Sequence, residues 1–304
     1  RGAGDGPHYR PEEPSAAAEP RHAPQPRKGR MMSDPRFNRI LLTGAAGRLG
    51  SHLRRGLAPM CRHLRLADRD AIADLKPHEE ARQFDLADME ATLRATEGVD
   101  AIVHFGGVAL EQGWEDILNG NIRGSYHVYE GARRNGVGRV VYASSVHAIG
   151  YHRVEDQIDA AAPHRPDSLY GLSKCFVEDL GRLYWDKFGI ETVALRIFSS
   201  FPEFTDRRML WSMLTFDDCI RLVEAALTAP RAAFSIVFGT SANRHRMVDN
   251  RLGAHIGYLP QDSTESRRAE VEAGLPPPDP RAPAVEYLGG WFVDLGHPDD
   301  GTAA

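Results

Sequence analysis

From about residue 38 onward, short apolar runs alternate with longer amphipathic segments. The apolar runs predict strands at Arg39–Thr43, Leu64–Ala67, Ala101–His104, Arg139–Ala143 and Thr192–Arg196. The segments between them have helical spacing, most clearly Gly113–Asn135 and Leu169–Phe188. Because alternating strands and helices are typical of βαβ units, the pattern predicts an α/β fold with a parallel sheet.

The alternation weakens after about residue 200. One helix is predicted there at Phe216–Leu227, one strand at Ser235–Phe238 and a proline-rich loop at Pro276–Pro283. We therefore predict a main domain over residues 37–200 and a small C-terminal lobe over residues 201–304, packed together as one unit.

The first 36 residues predict a disordered extension. Residues 1–30 are rich in proline and charge and contain no Leu, Ile, Val, Met, Phe or Trp. Such a segment buries too little apolar surface to offset its ordering entropy, and it lacks the apolar stretch of a signal peptide. Met31 and Met32 stand just before the first predicted strand. Their position favours an extension outside the native protein over a functional tail.

Composition narrows the class of protein. The 304 residues are 42% hydrophobic, enough for a large core, and the net charge of −5 indicates neither a nucleic-acid nor a membrane partner. No apolar run approaches the roughly 20 residues that cross a bilayer. The three cysteines, Cys61, Cys175 and Cys219, are far apart and lack metal-ligand spacing. We therefore predict no metal, no disulfide framework and a cytoplasmic location.

A glycine-rich turn, TGAAGRLG, ends the first predicted strand at residues 43–50. Gly44 permits a tight turn, Gly47 lets the backbone approach a pyrophosphate, and Gly50 allows close packing of helix on sheet. The helix that follows presents its N-terminal amides to the phosphates. A plain strand-to-helix turn is the alternative. The position after the first strand favours a dinucleotide site in a Rossmann-type, doubly wound parallel sheet.

Three further positions follow predicted strands at the edge where open α/β sheets bind ligands. Asp68 ends the second strand, where a carboxylate accepts from a ribose 2′-hydroxyl and favours NAD over NADP. The adjacent Arg69 could tolerate a 2′-phosphate, so NADP stays an alternative. Asp85-Leu86 follows a further strand that we expect between Ala67 and Ala101, the third of the sheet. Phe105–Gly107 follows the strand Ala101–His104, which is then the fourth, although each of the two segments could be a plain loop.

The stretch DSLYGLSKC places Tyr170 four residues before Lys174, on one face of a predicted helix. That arc also carries Val177, Gly181 and Tyr184, so we expect Lys174 to be buried. A buried ammonium needs a partner, unless the lysine reaches solvent at the helix edge. Its charge would stabilise the Tyr170 phenolate and lower the phenol pKa from about 10. Such a phenol can take a proton from an alcohol during hydride transfer.

Ser144 and Ser145 end the strand before this helix and bring a hydroxyl to the same edge. The glycine turn, the serine pair, YGLSK and the Asn121 helix together resemble the extended short-chain dehydrogenase/reductase superfamily, from about Asn38 to Asp294. Within it, LTGAAGRLG, IVHFGG, GNIRGSYHVYEGAR, LYGLSKCFVEDLGRLYWDKFG and GGWFVD are similar to bacterial uronate dehydrogenases.

The resemblance implies an NAD-dependent enzyme that oxidises the C1 hydroxyl of a cyclic hexuronic acid, glucuronate or galacturonate, to an aldarolactone. It implies that Tyr170 is the base, that Ser145 orients the hydroxyl and that Lys174 also holds the nicotinamide ribose. Cofactor contacts are implied for Gly44, Gly47, Arg48, Leu49, Gly50, Asp68, Asp85, Leu86, Phe105, Gly106, Gly107 and Lys174. Substrate contacts are implied for Ala109, Ser145, Val146, His147, Tyr170, Ser199, Arg208 and Phe292.

Arg208 is expected to bind the substrate carboxylate, because a guanidinium donates to both carboxylate oxygens at once. The alternative is a surface charge beside Arg207. Ala109 and Val146 depart from the family pattern, which has serine and asparagine there. Without those partners the site would select less among polyols, or would bind a less hydroxylated acid.

Two other functions remain open. A sugar epimerase or another extended dehydrogenase is one, although an epimerase would need more than the roughly 100 residues that follow Ser200. A non-catalytic NAD-binding protein is the other, although it would not need Tyr170 and Lys174. Extended reductases commonly pair through the helix that carries YxxxK. The apolar arcs on both sides of Leu169–Phe188 therefore predict a homo-oligomer, a dimer or higher.

Overall fold

The computed structural model describes residues 35–300, so the predicted extension lies outside the described residues except for its last two. Within this range one sheet holds seven strands, all parallel, in the order β3-β2-β1-β4-β5-β6-β7. Their bounds are β1 Phe37–Thr43, β2 Cys61–Asp68, β3 Glu79–Gln83, β4 Ala101–His104, β5 Arg139–Ser145, β6 Glu191–Ile197 and β7 Phe234–Gly239. The predicted Rossmann-type sheet is confirmed. Its order reverses between β1 and β4, which opens a crevice at their carboxyl ends.

Helices cover both faces of the sheet. Their bounds are α1 Arg48–Leu57, α2 Met89–Ala95, α3 Trp114–Ile117, α4 Gly124–Arg134, α5 Leu169–Phe188, α6 Met209–Ser212, α7 Phe216–Thr228, α8 Arg268–Gly274 and α9 Pro283–Glu286. Successive residues of a strand point to opposite faces. Ile40 and Leu42 accordingly share one core with α1 and α7, and Leu41 shares the other with α2, α4 and α5. None of the described helices is long and apolar enough to cross a membrane.

The structure differs from the predicted pattern in three places. No apolar run marks β3, because this edge strand is only partly buried and carries charged residues. The predicted helix Gly113–Asn135 is interrupted by a π-helical turn at Leu118–Arg123. Past residue 200, α7 packs against the sheet and β7 joins it, so this part of the chain extends the main layers. The division at residue 200 stays a prediction of domain organisation.

A buried ion pair ties α5 to β6. Glu178 and Arg196 have side chains exposed by only 1% and 0%, and the guanidinium donates to both carboxylate oxygens at 3.0 and 2.8 Å. The Ser144 hydroxyl and the His164 ring also hydrogen-bond this carboxylate, at 2.5 and 2.8 Å. Burial would raise the pKa of Glu178, but these hydrogen bonds and the charge of Arg196 lower it to about 2.

Replacing Arg196 with Met should lower the free energy of unfolding by about 3–5 kcal/mol at pH 7, because it leaves the Glu178 charge buried without its main partner. The pKa of Glu178 is lower in the folded state. The Glu178 charge therefore contributes fully to the free energy of unfolding above the pKa of the unfolded state, near 4.3. This contribution is lost as the pH falls through the folded pKa of about 2. Urea unfolding of the wild type and of Arg196→Met at pH 7 and pH 3 measures this change in the free energy of unfolding.

Arg182→Met is the control, because Arg182 pairs with Asp186 on the surface of the same helix. We expect little change in its unfolding midpoint. If Arg196→Met lowered the free energy of unfolding by the same amount at both pH values, packing and not the buried charge would be responsible.

Candidate active site

A cavity of about 1050 Å³ lies at the carboxyl ends of the strands. All of the residues predicted for the cofactor, the chemistry and the substrate line it: Gly44, Gly47, Arg48, Leu49, Gly50, Asp68, Asp85, Leu86, Phe105, Gly106, Gly107, Ala109, Ser145, Val146, His147, Tyr170, Lys174, Ser199, Arg208 and Phe292. The structure therefore brings together residues spread over 249 positions of the chain, although their individual roles stay predictions. Within residues 35–300, no group of acidic, histidine and cysteine side chains could hold a metal ion.

The glycine turn has the shape that a pyrophosphate needs. Gly44 has a φ of +72°, and a Cβ there would lie 2.5 Å from the Phe105 carbonyl oxygen. A Cβ on Gly50 would lie 2.0 Å from the Gly44 oxygen, so α1 packs directly against the turn. Gly47 precedes α1 and no side chain caps that helix. The first backbone amides of α1 therefore remain available to an anion, as binding of a dinucleotide phosphate requires.

Asp68 stands at the end of β2 with its carboxylate held in place. One oxygen accepts from the Ala46 amide at 2.9 Å and the other from the Asp70 amide at 3.1 Å. This orientation fits a ribose-binding carboxylate at the cavity edge. Arg69 also lines the cavity, so the NADP alternative stays open on geometry alone.

Lys174 is buried beside Tyr170 and is 6% exposed. Its ammonium donates to the Ala143 carbonyl at 2.9 Å and lies 5.1 Å from the centre of the Tyr170 ring and 5.0 Å from that of Tyr142. The prediction that Lys174 lies on a buried face of α5 is confirmed, and the alternative that this lysine reaches solvent is wrong. Tyr142 lies behind the lysine as a second π surface.

The expected lowering of the Tyr170 pKa is wrong. Burial raises it to about 12, and a hydrogen bond from Ser145 only partly opposes this. Burial also lowers the pKa of Lys174 to about 7, although the charge of Glu178 opposes the shift. Desolvation disfavours the charged form of each group. The protonated form of Lys174, 5.1 Å from the centre of the Tyr170 ring, favours the phenolate form of the tyrosine.

His147 and Phe292 line the cavity beside Tyr170. Their rings stack at 3.7 Å, and Tyr170 lies 5.7 Å from the histidine ring, edge-on. The histidine Nδ1 lies 2.8 Å from a carboxylate oxygen of Asp167. A Cβ on Gly150 or Gly289 would lie 1.9 Å from that same oxygen, so only glycines leave room for it. Sequence reasoning gave Asp167 no role, because its partners come from distant loops.

Arg208 is held against the last segment of the chain. Its guanidinium donates to the carbonyl of Leu288 and, at 3.4 Å, to that of Tyr287. Its Nε atom is buried and has no hydrogen-bond partner among the described residues. Burial lowers its pKa to about 10, which leaves the side chain cationic at neutral pH. Arg208 lines the cavity as a cation, which fits a carboxylate and favours that role over a plain surface charge.

The positions that depart from the family pattern are apolar or at the rim. Val146 packs in an apolar cluster with Phe198, Phe238 and Leu288 while lining the cavity. Ala109 is exposed at the edge. Neither offers a polar partner to a hydroxyl group.

Ser199 lines the cavity too, with its hydroxyl 2.8 Å from that of Ser212.

The NAD dependent epimerase/dehydratase family model matches residues 40–232, which include the glycine turn, Tyr170, Lys174 and Arg208. The chain belongs to this family. Among its members, the uronate dehydrogenase of Pseudomonas putida is 50% identical over 87% of this chain and 99% of its own length. That of Agrobacterium fabrum is 46% identical over 85% and 97%. The predicted resemblance is confirmed.

Solved structures of family members share the architecture as well. The glucuronic acid dehydrogenase of Chromohalobacter salexigens is 47% identical, with a TM-score of 0.85 over 87% of this chain and 100% of that one. A mutant uronate dehydrogenase of Agrobacterium tumefaciens in complex with NAD is 45% identical, with a TM-score of 0.82 over 85% and 98%.

Proposed function

We propose that the protein is an NAD-dependent dehydrogenase that oxidises the C1 hydroxyl of a cyclic hexuronic acid, glucuronate or galacturonate, to an aldarolactone. The supporting observation is that one cavity holds both the buried Tyr170/Lys174/Ser145 set and the partly unsatisfied cation of Arg208. Relatives named uronate dehydrogenase at 46% to 51% identity bear out the predictions of an enzyme and of uronic acids as its substrates. The family model and the uronate dehydrogenase structure in complex with NAD bear out the predicted cofactor.

The cofactor half of the cavity suits NAD. The uncapped start of α1 and the glycine turn would hold the pyrophosphate, and the Asp68 carboxylate would accept from the adenosine ribose. Lys174 would donate to the nicotinamide ribose. When bound, NAD supplies the acceptor for a hydride from the sugar carbon.

The chain's own groups move the proton. Tyr170 would take it from the C1 hydroxyl, while Ser145 donates a hydrogen bond that orients the reacting oxygen. Protonated Lys174 would stabilise Tyr170 as the phenolate, which becomes a neutral phenol when it accepts the proton. The carboxylate at the other end of the sugar would bind Arg208, which places C1 over the catalytic pair.

An NADH absorbance assay over a panel of sugars tests this function. We expect turnover of glucuronate and galacturonate, and at least roughly tenfold lower kcat/KM for glucose and galactose, which lack the carboxylate. No NADH formation from either uronate at millimolar concentration would exclude the proposed substrate. Interconversion of sugars without net NADH would favour an epimerase, and NAD binding without any turnover would favour a non-catalytic protein.

We also propose that two copies pair through one face of α5. Leu172, Phe176 and Leu183 lie on this face and are 40% to 48% exposed, and Tyr126 on α4 is 42% exposed. An apolar stripe of this kind is typical of an interface. Phe176→Glu should convert a dimer to a monomer in sedimentation velocity, while Leu259→Glu, at a 77% exposed position elsewhere, should not. A native chain that sediments as a monomer would contradict the pairing.

A cytoplasmic location is also proposed. It rests on the three cysteines, which are buried and unpaired, and on the NAD pool that the reaction needs. Fractionation of cells that express the protein would test it, and recovery outside the cytoplasmic fraction would contradict it.

A further inference from the structure

The loop that follows β4 touches both halves of the proposed site. Residues 105–107 lie beside the glycine turn, and residues 108, 109, 110 and 112 line the cavity further along. Glu111 belongs to this loop but does not line the cavity. Its carboxylate turns instead to the first turn of α5, where one oxygen accepts from the Leu169 amide at 2.9 Å and the other from the Tyr170 amide at 2.8 Å.

These two hydrogen bonds are strong for their type. The first amides of a helix have no partner within the helix, and they lie at the positive end of its dipole. A carboxylate that accepts from them makes charge-assisted hydrogen bonds. The hydroxyl of the α5 cap residue, Ser168, accepts from the Gly171 amide at 2.9 Å. Glu111 is therefore the partner of the Tyr170 amide, and it comes from a segment 59 residues away.

The carbonyl of Tyr170 is tied to the same loop by a second route. It accepts from the Ser173 hydroxyl at 2.6 Å, and that hydroxyl accepts from the side-chain amide of Asn121 at 3.0 Å. Asn121 lies in the π-helical turn and also hydrogen-bonds both backbone groups of Val108, at 2.7 and 3.1 Å. Both backbone groups of Tyr170 are thus connected to the loop that borders the cofactor and substrate positions.

We propose that Glu111 is a positioning residue for the reaction: it sets the place of the Tyr170 phenol and couples it to the loop after β4. The proposal rests on the proposed role of Tyr170 as the base. A base must lie within hydrogen-bond reach of the proton it takes, and a displacement of about 1 Å can cost roughly 100-fold in rate. Glu111 makes no contact with the reacting groups themselves, so its effect passes through the backbone of Tyr170.

Glu111→Ala and Glu111→Gln test this, with Glu115→Ala as the control on an exposed residue four positions along the same segment. We expect Glu111→Ala to lower kcat by about 10- to 100-fold, with the Kd for NAD within about threefold of the wild type. Glu111→Gln keeps one acceptor oxygen and should recover part of the loss. Glu115→Ala should behave like the wild type. An unchanged kcat in Glu111→Ala would overturn the proposal, and so would a Glu111→Gln variant as slow as the alanine.

Hydrogen exchange tests the positioning role of Glu111 independently of the proposed substrate. The amides at the start of α5 should exchange faster in Glu111→Ala than in the wild type, while the second half of α5 keeps its protection. Should the wild type turn over no uronate, the proposed function fails, yet this measurement still decides whether Glu111 holds Tyr170. Unchanged exchange at Leu169 and Tyr170 would overturn the positioning role, whatever the substrate is.

Discussion

Tyr170→Phe should lower kcat for the uronate by about 10²- to 10⁴-fold, the usual contribution of a general base. The substitution removes only the phenol oxygen, and the ring can keep its packing against Phe292, 6.0 Å away. Because NAD would be held mainly by the glycine turn and Asp68, its Kd should stay within about threefold of the wild type. Steady-state kinetics and NADH fluorescence titration measure the two quantities.

The control for this variant is Tyr151→Phe, which removes a phenol oxygen from a residue outside the cavity and should leave kcat unchanged. Turnover by Tyr170→Phe at a rate close to the wild type would exclude the tyrosine as base. A parallel loss of NAD affinity would show that the substitution damages the cofactor site instead of the chemistry.

Arg208→Met should lower kcat/KM for glucuronate by roughly 100- to 1000-fold, because truncating one partner of a desolvated charge pair costs about 2–5 kcal/mol. Methionine has a similar length and no charge, so the substrate carboxylate would be buried without a partner. Glucose carries no carboxylate, and whatever turnover it shows should change by less than about threefold. The variant therefore separates binding of the acid group from the chemistry at C1.

Arg207→Met is the matched control, because Arg207 does not line the cavity and donates to the carbonyls of Glu272 and Leu275. Its kinetics should match the wild type. An equal loss with glucose and with glucuronate in Arg208→Met would contradict the carboxylate role. It would show that Arg208 acts through the carbonyls of Leu288 and Tyr287, as a support for the C-terminal segment.

Features whose geometry is local could be predicted from the sequence. The glycine turn lies within one strand–turn–helix unit, so the spacing of Gly44, Gly47 and Gly50 alone indicates how close the backbone approaches. Tyr170 and Lys174 lie on one turn of one helix, so their common face follows from 3.6 residues per turn. The buried strands follow from their apolar runs, whereas the polar edge strand β3 has no such signal.

The sequence by itself thus determined the fold class, the cofactor turn and the Tyr170/Lys174 pair, because each depends on residues that are neighbours along the chain. Only the tertiary structure decided what surrounds them. Glu111 binds the start of α5, and Asp167 fits between two glycines beside His147, through loops that have no periodic pattern. The direction of the Tyr170 pKa shift also depended on the whole fold. Burial outweighs the hydrogen bond from Ser145, and no spacing of residues predicts how much water a fold excludes.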